Sequence, residues 1–129
     1  MSFSMNFTID ADLERKLIRE KIYGIWKDET AHLYHAEFIK VAQPLIGGKW
    51  AKLIDLNNWR SSYPEVVDIV GEHLRWCVEN GMALSVNIIE NPVTSGQLKR
   101  MFTTGGTEEI SRIFRTINEG DKFLRENGF

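Results

Sequence analysis

The chain reads as one α/β domain: a mixed, mainly parallel sheet of about five strands with its helices mostly on one face. Three observations predict this. Segments of two-residue and of helical periodicity alternate along the chain, which demands crossover connections and therefore parallel strands. The opening alternates strictly, with Phe3, Met5, Phe7 and Ile9 pointing one way and Ser4, Asn6, Thr8 and Asp10 the other. Met82, Leu84, Val86 and Ile88 alternate in the same way with Ala83, Ser85 and Asn87. In both segments the milder side looks too polar for a second dry layer.

The elements follow in order. After the opening strand comes a charged link, Ala11 to Arg15, and a second strand over Leu17 to Trp26, which together suggest an antiparallel hairpin at the sheet edge. Asp28, Glu29 and Thr30 bring acids and a cap candidate to a helix start. Ala31, Tyr34, Phe38, Val41 and Leu45 then form an apolar stripe, with Pro44 disturbing the last turn and Gly47-Gly48 ending it. Trp50 to Leu56 is nearly all apolar, as an interior strand is. Pro64 to Asn80 is the second helix, with Val66, Val70, Leu74 and Cys77 on one face and Asn80-Gly81 as its stop. Met82 to Ile88 is the next strand, broken by Asn91-Pro92. A short helix over Thr94 to Phe102 ends at Gly105-Gly106. Ile110, Ile113 and Phe114 suit a short strand or a helical turn, and Glu119 to Glu126 a last helix.

At 129 residues the chain is long enough for a core without metal or disulfide staples. A net charge of −2 with no clustered basic face argues against nucleic-acid binding. No stretch approaches the ~20 apolar residues of a membrane span, and the N-terminus lacks the pattern of a secretion signal. Cys77 is the lone cysteine, which fits a reducing compartment, so a cytoplasmic location is expected.

Little in the chain looks chemical. Gly47-Gly48 and Gly105-Gly106 lack the rest of a phosphate loop and read as helix stops. His32 and His35 lie three apart on a helix, but no further ligand joins them and His73 sits in another helix, so no metal or cofactor is expected. Cys77, on an apolar stripe, reads as a buried structural thiol. Asp55 ends an interior strand, where α/β folds place functional groups. Trp59, in a loop beside Arg60, is the tryptophan expected at a surface or pocket rim. Ser62-Tyr63-Pro64-Glu65 fits the capping box S-x-x-E, which makes Ser62 a helix cap first. With no nucleophile–base pair or carboxylate dyad in view, an enzyme is not expected.

In this order the elements resemble the STAS fold of anti-sigma factor antagonists, in particular the divergent SpoIIAA-like group. The strand Lys52-Leu53-Ile54-Asp55-Leu56 is similar to the family's "VLDL" strand, and a serine-bearing loop and a helix of fitting length follow it. Leu98-Lys99-Arg100-Met101-Phe102 with Thr103-Thr104-Gly105-Gly106 is similar to its "VKRLF…GL" helix and turn. Ile113 to Gly120 looks like its closing strand and helix. The resemblance implies a regulatory module that binds a protein partner or itself through the loops at the strand ends. In such proteins a serine in an Asp-Ser-(Ser/Thr)-Gly loop is phosphorylated. Here Ser61 and Ser62 occupy that region, but Arg60 stands in place of the aspartate and Tyr63-Pro64 in place of the glycine, so the switch motif is not expected to be intact. The candidate interaction loop is Asp55, Asn57, Trp59, Arg60, Ser61, Ser62 and Tyr63. The group is also similar in shape to CRAL-TRIO lipid-binding domains, which implies as an alternative a small apolar ligand held between sheet and helices. Self-pairing across a half-wet, semi-apolar sheet face is a further expectation.

Overall fold

The computed structural model describes residues 6–129, so Phe3 and Met5 of the opening alternation lie outside the described part. Its elements are β1 (Phe7–Asp12), β2 (Leu17–Trp26), α1 (Asp28–Ala42), β3 (Trp50–Ser62), α2 (Pro64–Glu79), β4 (Met82–Ile88), α3 (Pro92–Gly105), β5 (Ser111–Phe114) and α4 (Ile117–Glu126). Short 3-10 turns occupy Gln43–Leu45 and Glu108–Ile110. The strands form one sheet in the order β1-β2-β3-β4-β5. β1 and β2 pair antiparallel, and every later pair is parallel. The fold class and the edge hairpin are those the periodicities predict.

Inward-facing positions of β1 and β2 (Phe7, Ile18, Ile22) meet Ala31, Tyr34 and Phe38 of α1, and the same layer continues through Val66, Leu74 and Cys77 of α2 and Leu98, Met101 and Phe102 of α3. α2 and α3 touch at glycines. A Cβ on Gly71 would come within 2.5 Å of the Thr104 side chain, and one on Gly105 within 2.7 Å of the Gly71 carbonyl. Gly106, at φ 71°, is the cap of α3, while Gly105 belongs to this close crossing.

The other face is dry in part. α4 covers it, packing Leu124 on Leu17, Ala51, Leu53, Val86 and Ile88. The expectation of a polar second side therefore fails at β4: its greasy side lies under α4, and its milder side, Ser85 and Asn87, is buried under the three other helices. Hydrogen bonds make that burial tolerable. Asn87 Nδ2 donates to the Ser85 carbonyl (3.3 Å), to Ser85 Oγ (3.1 Å) and to the Arg112 carbonyl (3.3 Å). What α4 leaves uncovered, over β1 and β2, is a groove with Asp10, Arg19, Lys21 and Asp55 on it beside Leu53 and Ile117.

Three local expectations need correction. Thr30 does not cap α1; Lys27 holds that position without a side-chain bond, and Asp28 and Glu29 supply the first-turn acids. The strand read as Trp50 to Leu56 runs on to Ser62, because residues 58–62 continue to pair with β2. The capping box at Ser62 does not form. α2 starts one residue later, with Tyr63 at the cap position and Pro64 first in the helix, and Tyr63 makes no side-chain cap bond.

Candidate functional site

Beyond Asp55, which is level with Ile88 at the end of β4, β3 has a strand on one side only. This arm keeps its pairing with β2 through two register shifts, at Lys21/Tyr23 and Gly24/Ile25, with Gly24 at φ 71°. Its free side faces Ile89, Glu90 and Asn91 across a polar cleft of about 750 Å³, into which Asn57, Asn58, Trp59 and Arg60 are set. The cleft sits at the C-terminal ends of parallel strands, the usual place for sites in such sheets.

Two side-chain amides bound the arm. Asn57 Oδ1 accepts from the Glu90 amide at 3.2 Å. Gln97 of α3 takes both backbone groups of Ser62: its Oε1 accepts from the amide at 2.9 Å and its Nε2 donates to the carbonyl at 2.7 Å. Gln97 thus does at Ser62 what a neighbouring strand would do. Ser62 is buried, and its Oγ accepts from Trp59 Nε1 at 3.0 Å. Trp59 is buried in the sheet rather than exposed on a loop, although one side of it lines the cleft. Asp55 lies on the other side of the sheet, in the charged groove, and its Oδ1 accepts from the Asn57 amide at 3.1 Å. Of the candidate loop, Asn57, Trp59 and Arg60 meet at the cleft; Ser61 is half-buried beside Ile25, and Tyr63 is exposed at the start of α2.

The inner layer holds a second set of groups. Glu20 and Lys52 point from β2 and β3 into the three-helix side, both buried, with Lys52 Nζ 3.3 Å from Glu20 Oε2. That oxygen still lacks an aligned hydrogen-bond donor. Tyr34 donates a short hydrogen bond to Glu20 Oε1 and accepts from Lys52 Nζ at 3.4 Å. Lys52 Nζ also lies 5.4 Å from the Phe38 ring centre. Burial and the Glu20 charge hold the Tyr34 hydroxyl well above its ordinary pKa. Beside them His73 is buried, its Nδ1 2.8 Å from Nδ1 of half-buried His35, so that exactly one of the two nitrogens carries the shared proton. Burial, then the Lys52 charge, press the His73 pKa well below 6.5. Cys77 lies 3.5 Å from His73 Nε2, and burial pushes its thiol up to about 12, the state of an inert structural thiol.

His35 therefore pairs with His73 and not with His32. Among the described residues no three His, Cys, Asp or Glu side chains are grouped to hold a metal. The sequence reading passed over the Glu20–Lys52 pair. Its signal is parity: Glu20 stands between Ile18 and Ile22, and Lys52 between Trp50 and Ile54, each charge at an inward register of an otherwise apolar strand face.

Over this floor lies a small cavity of about 40 Å³ between the sheet and the three helices on this side. Lys52, Tyr34 and Asn87 line its polar end, and Trp26, Trp59, Leu98, Met101 and Phe102 line its walls. Trp59 and Leu56 separate it from the polar cleft and line both.

No protein-family model matches the chain, and no curated protein matches it. A solved structure does: an uncharacterised DUF3478-family protein with a SpoIIAA-like fold from Shewanella loihica PV-4. It superposes with a TM-score of 0.67 over 96% of this chain and 98% of that chain, at 11% identity. The chain is thus an α/β module of SpoIIAA-like fold, as the strand and helix patterns imply. At that identity the likeness establishes the fold alone. No helix among the described residues is long and apolar enough to cross a membrane.

Proposed function

We propose that the chain is a STAS-like regulatory module without catalytic activity, which binds a protein partner or a second copy of itself through the cleft along the β3 arm. The observation that carries this reading is the arm itself: a stretch of strand with a neighbour on one side only, bounded by Asn57 and Gln97 and presenting Arg60 to solvent. Exposed strand edges can pair with another chain, and strand addition at such an edge is a recurring mode of recognition. A phosphorylation switch at Ser62 is not part of the proposal. Its hydroxyl oxygen is engaged by Trp59 and its backbone by Gln97, so a kinase would meet it only after the arm had come away from α3. With a single, buried cysteine the chain forms no intramolecular disulfide, and we read its place of action as the cytoplasm.

The test is capture of partners by wild type and by Arg60→Glu, with sedimentation of both proteins alone. Arg60 is exposed, so the variant keeps the fold. A partner or dimer lost on the substitution, with the circular dichroism unchanged, supports the reading; equal capture and equal mass sink it.

A second reading has its own observation. The cavity between sheet and helices is walled by tryptophan, methionine, leucine and phenylalanine, which suits a small apolar ligand and a role as its carrier or sensor. Native mass spectrometry of the purified protein reads retained ligand and subunit number together.

A further inference from the structure

We propose that the cavity takes an uncharged, linear amphiphile such as an alcohol, with its oxygen at Lys52 and Asn87 and its chain running out past Trp59 and Met101. This rests on the second reading above and names the ligand's chemistry. Three features of the cavity select it.

The first is the floor. Lys52 and Asn87 are each only 2% exposed, yet both line a cavity whose walls are apolar. An ammonium carries three N–H donors. Lys52 Nζ donates only to the Tyr34 hydroxyl, over a long 3.4 Å; it lies 3.3 Å from Glu20 Oε2 without an aligned bond and 5.4 Å from the Phe38 ring centre. A ligand oxygen at the floor completes that set.

Charge is the second. Glu20 and Lys52 balance each other inside the protein, and no other buried side chain of the layer is charged while His73 stays neutral. A carboxylate or ammonium head would add a third charge without a counter-ion, and isolated buried charges are heavily penalised. A hydroxyl adds none.

Size is the third. A cavity of about 40 Å³ holds roughly three waters at ~10–15 Å³ each, whereas an apolar cavity that binds benzene is nearer ~150 Å³. The head group and its first carbons fill that volume, and the rest of a chain enters only as the wall gives way. Met101 and Leu98 at the wall are side chains that move aside for a chain end. Because Trp59 also lines the outer cleft, an occupant pressing on it reaches the β3 arm directly.

The experiment titrates the full chain at neutral pH with 1-hexanol, hexanoate and hexylamine, following tryptophan emission and backbone amide shifts. Hexanol should bind at least about tenfold more tightly than either charged analogue, as a lone buried charge requires, with its shifts centred on Trp26, Trp59 and Met101. Leu98→Trp, which fills the wall, should remove hexanol binding. The paired substitution Glu20→Leu with Lys52→Met, which removes both charges together and so leaves none uncompensated, should weaken hexanol severalfold. If hexanoate or hexylamine binds as tightly as hexanol, the head-group assignment is overturned while the apolar-ligand reading stands. If none of the three binds, both fail. Hexanol binding untouched by Leu98→Trp would place the ligand elsewhere and overturn the proposal.

Discussion

The two faces of the sheet are built on opposite principles. Under α4 the buried packing is aliphatic and wholly apolar: Leu17, Ala51, Leu53, Val86, Ile88 and Leu124, with Phe114, Phe123 and Phe129 at its margin. Under α1, α2 and α3 the packing is large, aromatic and centred on a buried ion pair, an imidazole pair and an asparagine. β4 belongs to both, one side for each. The difference teaches where function has room. The apolar packing under α4 leaves no room within it, whereas a layer with polar groups at its centre needs partners for them and leaves a cavity beside them.

The largest effect should come from unbalancing the polar side. Lys52→Met alone leaves Glu20 charged and buried and should cost about 3–5 kcal/mol, while adding Glu20→Leu should restore most of it. Urea denaturation of the single and double variants checks this; additive losses would mean that the pair is not coupled. On the dry side the equivalent insult is steric. A Cβ on Gly120 would sit 2.6 Å from Ile88 Cδ1 and 2.9 Å from Val86 Cγ1. Gly120→Ala should therefore cost about 1–3 kcal/mol by overpacking. Ile88→Val, which deletes the nearer atom, should cost less in the Gly120→Ala background than in wild type.

The smallest effect separates the faces by pH. All three histidines lie in α1 and α2, and burial depresses His35 and His73 in the folded state. The unfolded chain then binds protons that the folded one refuses, so stability is complete above about pH 6.5 and is lost as pH falls below it. The slope is at most ~1.4 kcal/mol per pH unit for each imidazole. Thermal melts from pH 7 to 5 should show the decline, and His73→Phe, which fills the same space without a proton, should flatten it. An unchanged slope in that variant would assign the acid sensitivity to the carboxylates instead.

Much of the fold was legible because periodicity and stop signals agree. Leu17–Trp26 and Met82–Ile88 fall where alternation puts them, and α2 begins at Pro64 and ends at Glu79 beside its Asn80-Gly81 stop. The site was less legible. Asn57-Asn58 and Ser61-Ser62 have poor strand propensity and read as a loop, yet pairing with β2 overrides propensity and makes them a strand. The capping boxes carry the same lesson. Ser62-x-x-Glu65 has the pattern but loses its hydroxyl oxygen to Trp59. Thr116-x-x-Glu119, which went unread, forms the serine/threonine half of the box: the Glu119 amide donates to Thr116 Oγ1 at 3.2 Å, while the Glu119 side chain takes the Thr116 hydroxyl at 2.9 Å in place of its backbone amide. A short motif states what a helix start could use; competition from tertiary partners decides whether it is used. Likewise Ser85 and Asn87 read as a wet side, because polarity alone does not distinguish water from a satisfied interior.

The sheet order β1-β2-β3-β4-β5 also bears on biosynthesis. Each strand lands beside the one made just before it, so the sheet can grow from one edge as the ribosome delivers it, with no gap waiting for a later strand. The three-helix layer closes along the way. The dry face does not: Leu53, Val86 and Ile88 have no cover until Ile117–Glu126 leaves the exit tunnel. For that interval the nascent chain displays its greasiest surface, and a ribosome stalled short of α4 would hand chaperones a nearly finished sheet with one side bare.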